Sequence, residues 1–355
     1  MPGPLAGVRV VELAGMGPAP LGCRLLHDLG ADVVRITRPG EDGRGADGLG
    51  RGRPAIGLDL KATEGLRVLR DLVAAADVFV DCYRPGVAER LGIGPDDLLA
   101  LNPRLVYARV TGWGQSGPLA LSAGHDINYL AVTGALAVIG EHEGAPVPPL
   151  NFVADYGGGS MFLATGVLAA LVERQTSHRG QVIDVAMVDG ASYFLTYVQD
   201  EVSHGRWVEQ RGSNDLDTGR PYYRTYACAD GQFVAVGALE EHFYDGLLHT
   251  LGVVHEPGQK DASAWPELAE KLAAVFLIRT RDEWAEVFAG SDACVSPVLW
   301  PSEARTHPHA IARGSFIDDE PAPAPRFDRT PSQRRADADD DALLARWGCA
   351  ALATR

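Results

Sequence analysis

The chain has 355 residues, 46% of them hydrophobic, and a formal net charge of −15. That composition predicts a soluble globular protein with one large core, or a large and a small domain, and argues against non-specific nucleic-acid binding. No uninterrupted apolar run approaches membrane-spanning length and the N-terminus opens on a strand-like pattern, so neither a membrane span nor a signal peptide is expected, and the expected location is cytoplasmic. Five scattered cysteines (Cys23, Cys82, Cys228, Cys294, Cys349) without a CxxC spacing fit a reducing compartment, not a disulfide framework or a zinc site. The three lysines, Lys61, Lys260 and Lys271, leave little scope for a Schiff-base enzyme.

In chain order, residues 8–13 and 32–36 read as strands around a helix at 21–29, a βαβ opening. The pattern continues with a strand at 55–60, a helix at 63–75 capped by Thr63, a strand at 78–81, a short helix at 95–101 and a strand at 105–110. Such alternation predicts an α/β fold with a parallel sheet covered by helices. A long helix at 157–175, a strand at 181–185 and a helix at 187–203 complete a large domain over 1–205. Residues 206–221, polar and rich in Gly, Asn and Asp, read as a linker. Strands at 222–228 and 232–238 form a hairpin across Ala229-Asp230-Gly231, followed by helices at 240–251, 265–276 and 281–289 and a strand at 294–299. These make a smaller α+β domain over 222–317. Residues 318–355 form a strap and a capped helix, 340–347, returning to the large domain.

Two segments carry the chemistry: Gly124-His125-Asp126-Ile127-Asn128-Tyr129, and Asn151-Phe152-Val153-Ala154-Asp155 running into Tyr156-Gly157-Gly158-Gly159-Ser160. Asp155 stands where a helix N-cap is expected, with free backbone N–H groups beside it. His125 and Asp155 can then be an acid/base pair facing a backbone that holds an oxyanion; alternatively, His125 is a buried or capping histidine and Asp155 only a cap. The first βα turn, Gly15-Met16-Gly17-Pro18-Ala19-Pro20, is half of a dinucleotide fingerprint. Pro20 replaces its third glycine, and Thr37-Arg38 stands where an acidic ribose ligand belongs. NAD is disfavoured, and Arg38 suits a phosphate, as in NADP or coenzyme A. Arg35, Arg38, Arg44, Arg51, Arg53 and Lys61 crowd this region, diluted by Glu41, Asp42, Asp47 and Asp59, as an anion site or a solvated loop. There is no Walker P-loop and no GxSxG elbow, and His307-Pro308-His309 lacks further ligands for a metal.

The segments Pro4 to Leu13, Leu29 to Arg35, Asp81-Cys82-Tyr83-Arg84-Pro85-Gly86-Val87 and Thr111 to Pro118 together resemble the family III coenzyme A transferases. The His125 and Asp155 segments resemble the α-methylacyl-CoA racemase branch of that superfamily. The resemblance runs from about Pro4 to Arg326. It implies a Rossmann-like CoA-binding large domain, a smaller domain, and an interlocked homodimer with active sites shared between subunits. It puts CoA contacts on Arg38, Leu58, Asp59, Leu60, Lys61, Cys82, Tyr83, Arg84, Arg90, Gly124, Asp126, Ile127, Asn128 and Tyr129. Catalysis falls on His125 and Asp155, with Glu240 a third candidate and Asn151 in support. One departure is Thr218-Gly219-Arg220-Pro221, where the racemases carry a Gly-Gly pair; Arg220 bears on acyl preference.

The chemistry implied is racemisation of 2-methylacyl-CoA thioesters, with no cofactor beyond the CoA of the substrate. A thioester α-proton is weakly acidic, so the site needs a base, enolate stabilisation and a proton donor on the opposite face. Glycines after Asp155 are expected to let backbone N–H groups approach the thioester oxygen. Two rivals remain: a CoA transferase with Asp155 as nucleophile, and a non-catalytic acyl-CoA-binding relative.

Overall fold

The computed structural model describes residues 3–41, 43, 48–254, 257–334, 343 and 345–347. Arg44, Asp42, Asp47, Cys349 and most of the expected helix at 340–347 lie outside these residues. The chain packs as two compact units, 1–135 with 148–196 and 322–355, and 136–147 with 197–321.

The first unit is built on β1 (Arg9–Leu13), α1 (Pro18–Asp28), β2 (Asp32–Thr37), β3 (Ala55–Gly57), α2 (Thr63–Ala74), β4 (Val78–Asp81), α3 (Val87–Arg90), α4 (Pro95–Leu101) and β5 (Val106–Thr111). It continues through α5 (Asp126–Thr133), a π-helix (Phe152–Met161), α6 (Phe162–Ser177), β6 (Gln181–Ala186) and α7 (Met187–Phe194). The strands form a parallel sheet in the order β3-β2-β1-β4-β5-β6. Val10, Val11, Val33, Val34, Val78, Phe79, Val80 and Val106 are fully buried. Strands covered on both faces carry such unbroken apolar runs, which is why they were readable. On α2, Val68, Leu69, Leu72 and Val73 recur at helical spacing and pack with Phe79, Ile93, Leu98 and Tyr107. Leu343 and Trp347 join this cluster.

Several boundaries depart from expectation. Thr63 is inside α2 and Ala62 is its N-cap, with no side-chain cap bond. The predicted helix at 157–175 is a π-helix from Phe152 that becomes α6, and the continuous helix Phe152–Ser177 is long and apolar enough by composition to cross a membrane. Counting only uninterrupted apolar residues missed this. It packs against α1, α7 and strands β5 and β6, as a helix covering a sheet does.

The second unit contains α8 (Thr196–Ser203), β7 (Tyr223–Ala227), β8 (Phe233–Gly237), α9 (Glu241–Leu251), α10 (Trp265–Phe276), α11 (Arg281–Val287), β9 (Val295–Pro297), α12 (Pro301–Ala304), α13 (Pro308–Arg313), β10 (Phe316–Ile317) and β11 (Glu320–Pro321). Its antiparallel sheet β7-β8-β9 packs Tyr226, Val234 and Val236 against Leu247, Leu272, Phe276 and Trp284. The expected linker folds on itself: the Asn214 side chain exchanges hydrogen bonds with the Val208 backbone, and the Asn214 N–H donates to Asp217 at 2.7 Å. Residues 136–147, expected in the large domain, group with this unit because Arg211 donates to the carbonyls of Ala137 and Gly144.

Candidate active site

In an open parallel sheet, ligands collect beyond the C-terminal strand ends where the strand order reverses. Here that point lies between β1 and β4, and a cleft of about 360 Å³ opens there within the first unit. Gly15–Ala19 follow β1, Cys82, Arg84 and Pro85 follow β4, and Thr111, Gly112 and Trp113 end β5; Gly124, His125, Tyr129 and Asp155 complete the wall.

His125 is the N-cap of α5, extended at φ −131°, and its N–H donates to Asn128 Oδ1 at 3.1 Å. Its backbone caps while its side chain stays exposed at the cleft, so the buried-histidine alternative is wrong. Beneath it, the Tyr129 hydroxyl donates to the Gly124 carbonyl at 2.5 Å, and the ring meets Trp113 edge-on at 4.8 Å. The fit leaves no room for side chains: a Cβ at Gly112 would lie 2.1 Å from Tyr129 Oη, and one at Gly124 would lie 2.8 Å from Tyr129 Cε1. Burial, then the Asp155 charge, pushes the Tyr129 hydroxyl up to about 12.

Asp155 is not an N-cap. It lies inside the π-helix, a form that recurs at functional sites. The orphan N–H groups of Ala154 and Asp155 donate to Asp126 Oδ2 at 2.9 and 2.8 Å, so the cap comes from a buried side chain on α5. Burial, then the Asp126 charge, raises the Asp155 carboxyl to about 6, against the opposing effects of Asn151 and His125. On the other side, Asp155 Oδ2 lies 3.3 Å from where a Cβ at Gly17 would be, and Gly17 has φ +66°. Pro18 and Pro20 remove two backbone donors from the first turn of α1. That helix end is therefore a poor pyrophosphate cradle.

The glycines after Asp155 serve close packing. A Cβ at Gly157 would meet the Phe194 ring at 2.8 Å, one at Gly158 the α7 backbone at 3.0 Å, and one at Gly159 Pro18 at 2.7 Å. Ser160 Oγ donates to the Pro18 carbonyl at 2.8 Å, binding the same helix to α1.

The early basic cluster splits in two. Arg35 and Arg53 are buried on Glu12 at 3.5 and 3.1 Å and donate to the carbonyls of Gly15 and Pro20, so they hold the βα turn and offer no anion site. Arg51 faces Asp28 at 3.5 Å. Arg38 and Lys61 are exposed, Arg38 lying 3.8 Å from Glu41. Leu58 and Leu60 pack on the core, and the exposed Asp59 accepts the Lys61 N–H at 3.0 Å. Arg84 is exposed at the cleft, Arg90 is exposed on α3, and the Tyr83 N–H donates to Asp81 at 2.8 Å. Cys82 lines the cleft as a thiol that burial, Asp81 and Glu12 push up to about 12. Ile127 and Asn128 are exposed on α5. Glu240 belongs to the second unit, exposed at the N-cap of α9. Arg220, also there, hydrogen-bonds Asp215 at 2.6 Å and stacks over Trp265 at 3.9 Å.

Sequence reasoning missed three contributors. Asp126 was read only as a CoA contact, because its partners lie 28 and 29 residues downstream. Trp113 and Met16 were visible only as members of recognised segments.

Residues 5–338 match the model of CoA-transferase family III. The chain is 48% identical over 342 residues to alpha-methylacyl-CoA racemase of Mus musculus, covering 94% of this chain and 89% of that protein. It is 45% identical over 335 residues to the Homo sapiens protein of that name, covering 92% and 87%. Among solved structures it is similar to a CAIB/BAIF family protein from Brucella suis, with a TM-score of 0.80 and 26% identity, covering 98% of this chain and 100% of that one.

Proposed function

Because the chain belongs to CoA-transferase family III, and its strongest likenesses are to racemases of that family, we propose that it interconverts the (2R) and (2S) forms of 2-methylacyl-CoA thioesters. The observation that carries this reading is the pairing of His125 with an Asp155 carboxyl raised to about 6 in one cleft. A carboxyl in that range exchanges its proton near neutral pH, as a group that acts as base and then acid must. One member of the pair removes the C2 proton, and the thioester becomes an enolate. The other delivers a proton to the opposite face of C2. Each turnover leaves the proton on the other partner, so the pair holds one proton between turnovers and two while the enolate exists. The chemistry calls on side chains alone and needs no cofactor beyond the CoA of the substrate.

In the same reading, the CoA phosphates dock on Arg38, Lys61, Arg84 and Arg90, four exposed cations of which Arg84 lines the cleft. The working form is a homodimer, in which Glu240 of a second copy completes each site. Support for both is the family resemblance together with the exposure of these residues.

The test is a single-stereoisomer 2-methylacyl-CoA in heavy water. One deuterium should enter C2 as configuration is lost, without any added carboxylate. Asp155→Asn should cut racemisation by about 10²–10⁴-fold, while His125 still exchanges the C2 hydrogen of one isomer. A transferase would leave that hydrogen in place, require an acid acceptor, and be inactivated by hydroxylamine only with acyl-CoA present. That combination would refute the racemase reading.

A further inference from the structure

Asp81, the last residue of β4, stands directly opposite Arg109 of β5 in the parallel ladder. Asp81 is fully buried and Arg109 nearly so, with Arg109 Nε 3.5 Å from Asp81 Oδ2. The other oxygen of Asp81 accepts the Tyr83 N–H at 2.8 Å, and the Tyr107 hydroxyl lies 3.3 Å from Oδ2. The free edge of the Arg109 guanidinium points to α3, where Nη1 and Nη2 meet the two Glu89 oxygens at 2.8 and 3.4 Å. An ion chain, buried at Asp81 and Arg109 and half-exposed at Glu89, thus ties both ends of the segment 82–90. Arg84 projects from its middle into the cleft, and Arg90 follows Glu89 on the same short helix.

Buried pairs of this kind are weak evidence for stability, since desolvation offsets most of the attraction, but a planar two-pronged arginine fixes geometry well. The segment it ties is anchored on the core by Cys82, Tyr83 and Ala88. But α3 is four residues long and its N-cap, Gly86, is left-handed at φ +81°, so the directions of Arg84 and Arg90 are what the ion chain can set. We propose that Arg109, bracketed by Asp81 and Glu89, is a positioning residue that orients Arg84 and Arg90 toward the phosphates of an acyl-CoA. It touches no substrate atom; its effect is on how tightly the nucleotide end is held. The proposal rests on the reading that those phosphates dock on this segment.

The experiment compares an acyl-CoA with the corresponding acyl-pantetheine thioester, which has the same reacting centre and no phosphates. Glu89→Gln leaves the Asp81–Arg109 pair intact, so no buried charge is stranded. It should raise KM for acyl-CoA by about threefold to tenfold, with kcat within about twofold and acyl-pantetheine kinetics unchanged. Arg109→Lys, which keeps the charge but lacks the fork, should show the same selective change. An equal effect on both thioesters, or none on either, would overturn the proposal and mark the chain as merely structural. Arg84→Ala, measured alongside, separates the two ideas. If it discriminates between the thioesters and Glu89→Gln does not, docking stands and the positioning role falls. If Arg84→Ala and Arg90→Ala both fail to discriminate, the docking reading falls and takes the proposal with it.

Discussion

Asp126 holds Asp155 from behind: its buried carboxylate accepts the Asp155 N–H at 2.8 Å while its charge, after burial, raises the Asp155 side chain. One group therefore fixes the position of the carboxyl and shifts its titration. Asp126→Asn separates the two effects, because an amide oxygen can still accept both N–H bonds but carries no charge. Asp155 should then ionise at lower pH. In the proposed mechanism only the singly protonated His125–Asp155 pair is active, so kcat/KM should be bell-shaped with pair-owned limits, the same in both directions. In Asp126→Asn the acid limb should move to lower pH in a pH–rate profile; an unmoved limb would rule out the electrostatic part.

Asp155 also has a signature in stability. Its folded value of about 6 lies above the ordinary unfolded value of about 3.9, so between these limits the native chain binds more protons. Native stability falls as pH rises through this window and stays lower above it. Asp155→Asn escapes that loss. Allowing for partial exposure, it should be more stable than the parent by about 1–2 kcal/mol at pH 8, or a few degrees in Tm. The gain should vanish below about pH 4, as thermal melts across pH would show.

Arg38 is the exposed cation at the end of β2, where the polypeptide turns toward Glu41. A charge-assisted contact to phosphate contributes about 1.5–3 kcal/mol. Arg38→Ala should raise KM for acyl-CoA about tenfold and leave kcat largely intact in steady-state kinetics. No change in KM would remove Arg38 from the substrate's reach.

The proposed sharing of sites in a dimer is open to a complementation test. His125→Ala and Glu240→Ala chains, each inactive alone, should recover part of the activity when refolded together. An active monomer in sedimentation, or no recovery, would contradict the arrangement.

A tight backbone crossing lies between the π-helix and α7. A Cβ on Gly190 would sit 2.4 Å from Gly158 Cα, with backbone on both sides and no flexible side chain to yield. Gly190→Ala should cost about 1–3 kcal/mol or more, measured by denaturant unfolding. The same change should lower activity, because Gly158 and Asp155 share one π-helix.

What could be read from the residues follows from where their partners are. The strands β1, β2, β4 and β5 announced themselves because burial on both faces demands unbroken apolar runs such as Val78 to Val80. His125 and Asp155 stood out by residue type and neighbours, and both line the same cleft. The π-helix did not, since nothing local to Phe152–Met161 distinguishes it from an α-helix; its cap, Asp126, is on another element. Gly157, Gly158 and Gly159 were conspicuous, but their packing role was not legible, because what they avoid is Phe194, the α7 backbone and Pro18, each distant in sequence. Arg35 and Arg53 looked like anion ligands until Glu12, mid-strand on β1, claimed both.

A π-helix fits more residues into each turn than an α-helix does, so this one behaves as an α-helix carrying inserted length. The ten residues from Phe152 to Met161 feed without a break into α6, which is anchored on the sheet. Losing a single residue upstream of Phe162 would let the segment relax to the commoner winding. The rod would survive, but Asp155 would rotate off the cleft. The placement of Asp155 in the cleft thus depends on a register, and a frame-preserving deletion of one codon in that segment is a route by which a descendant keeps the architecture and loses the carboxyl from the cleft.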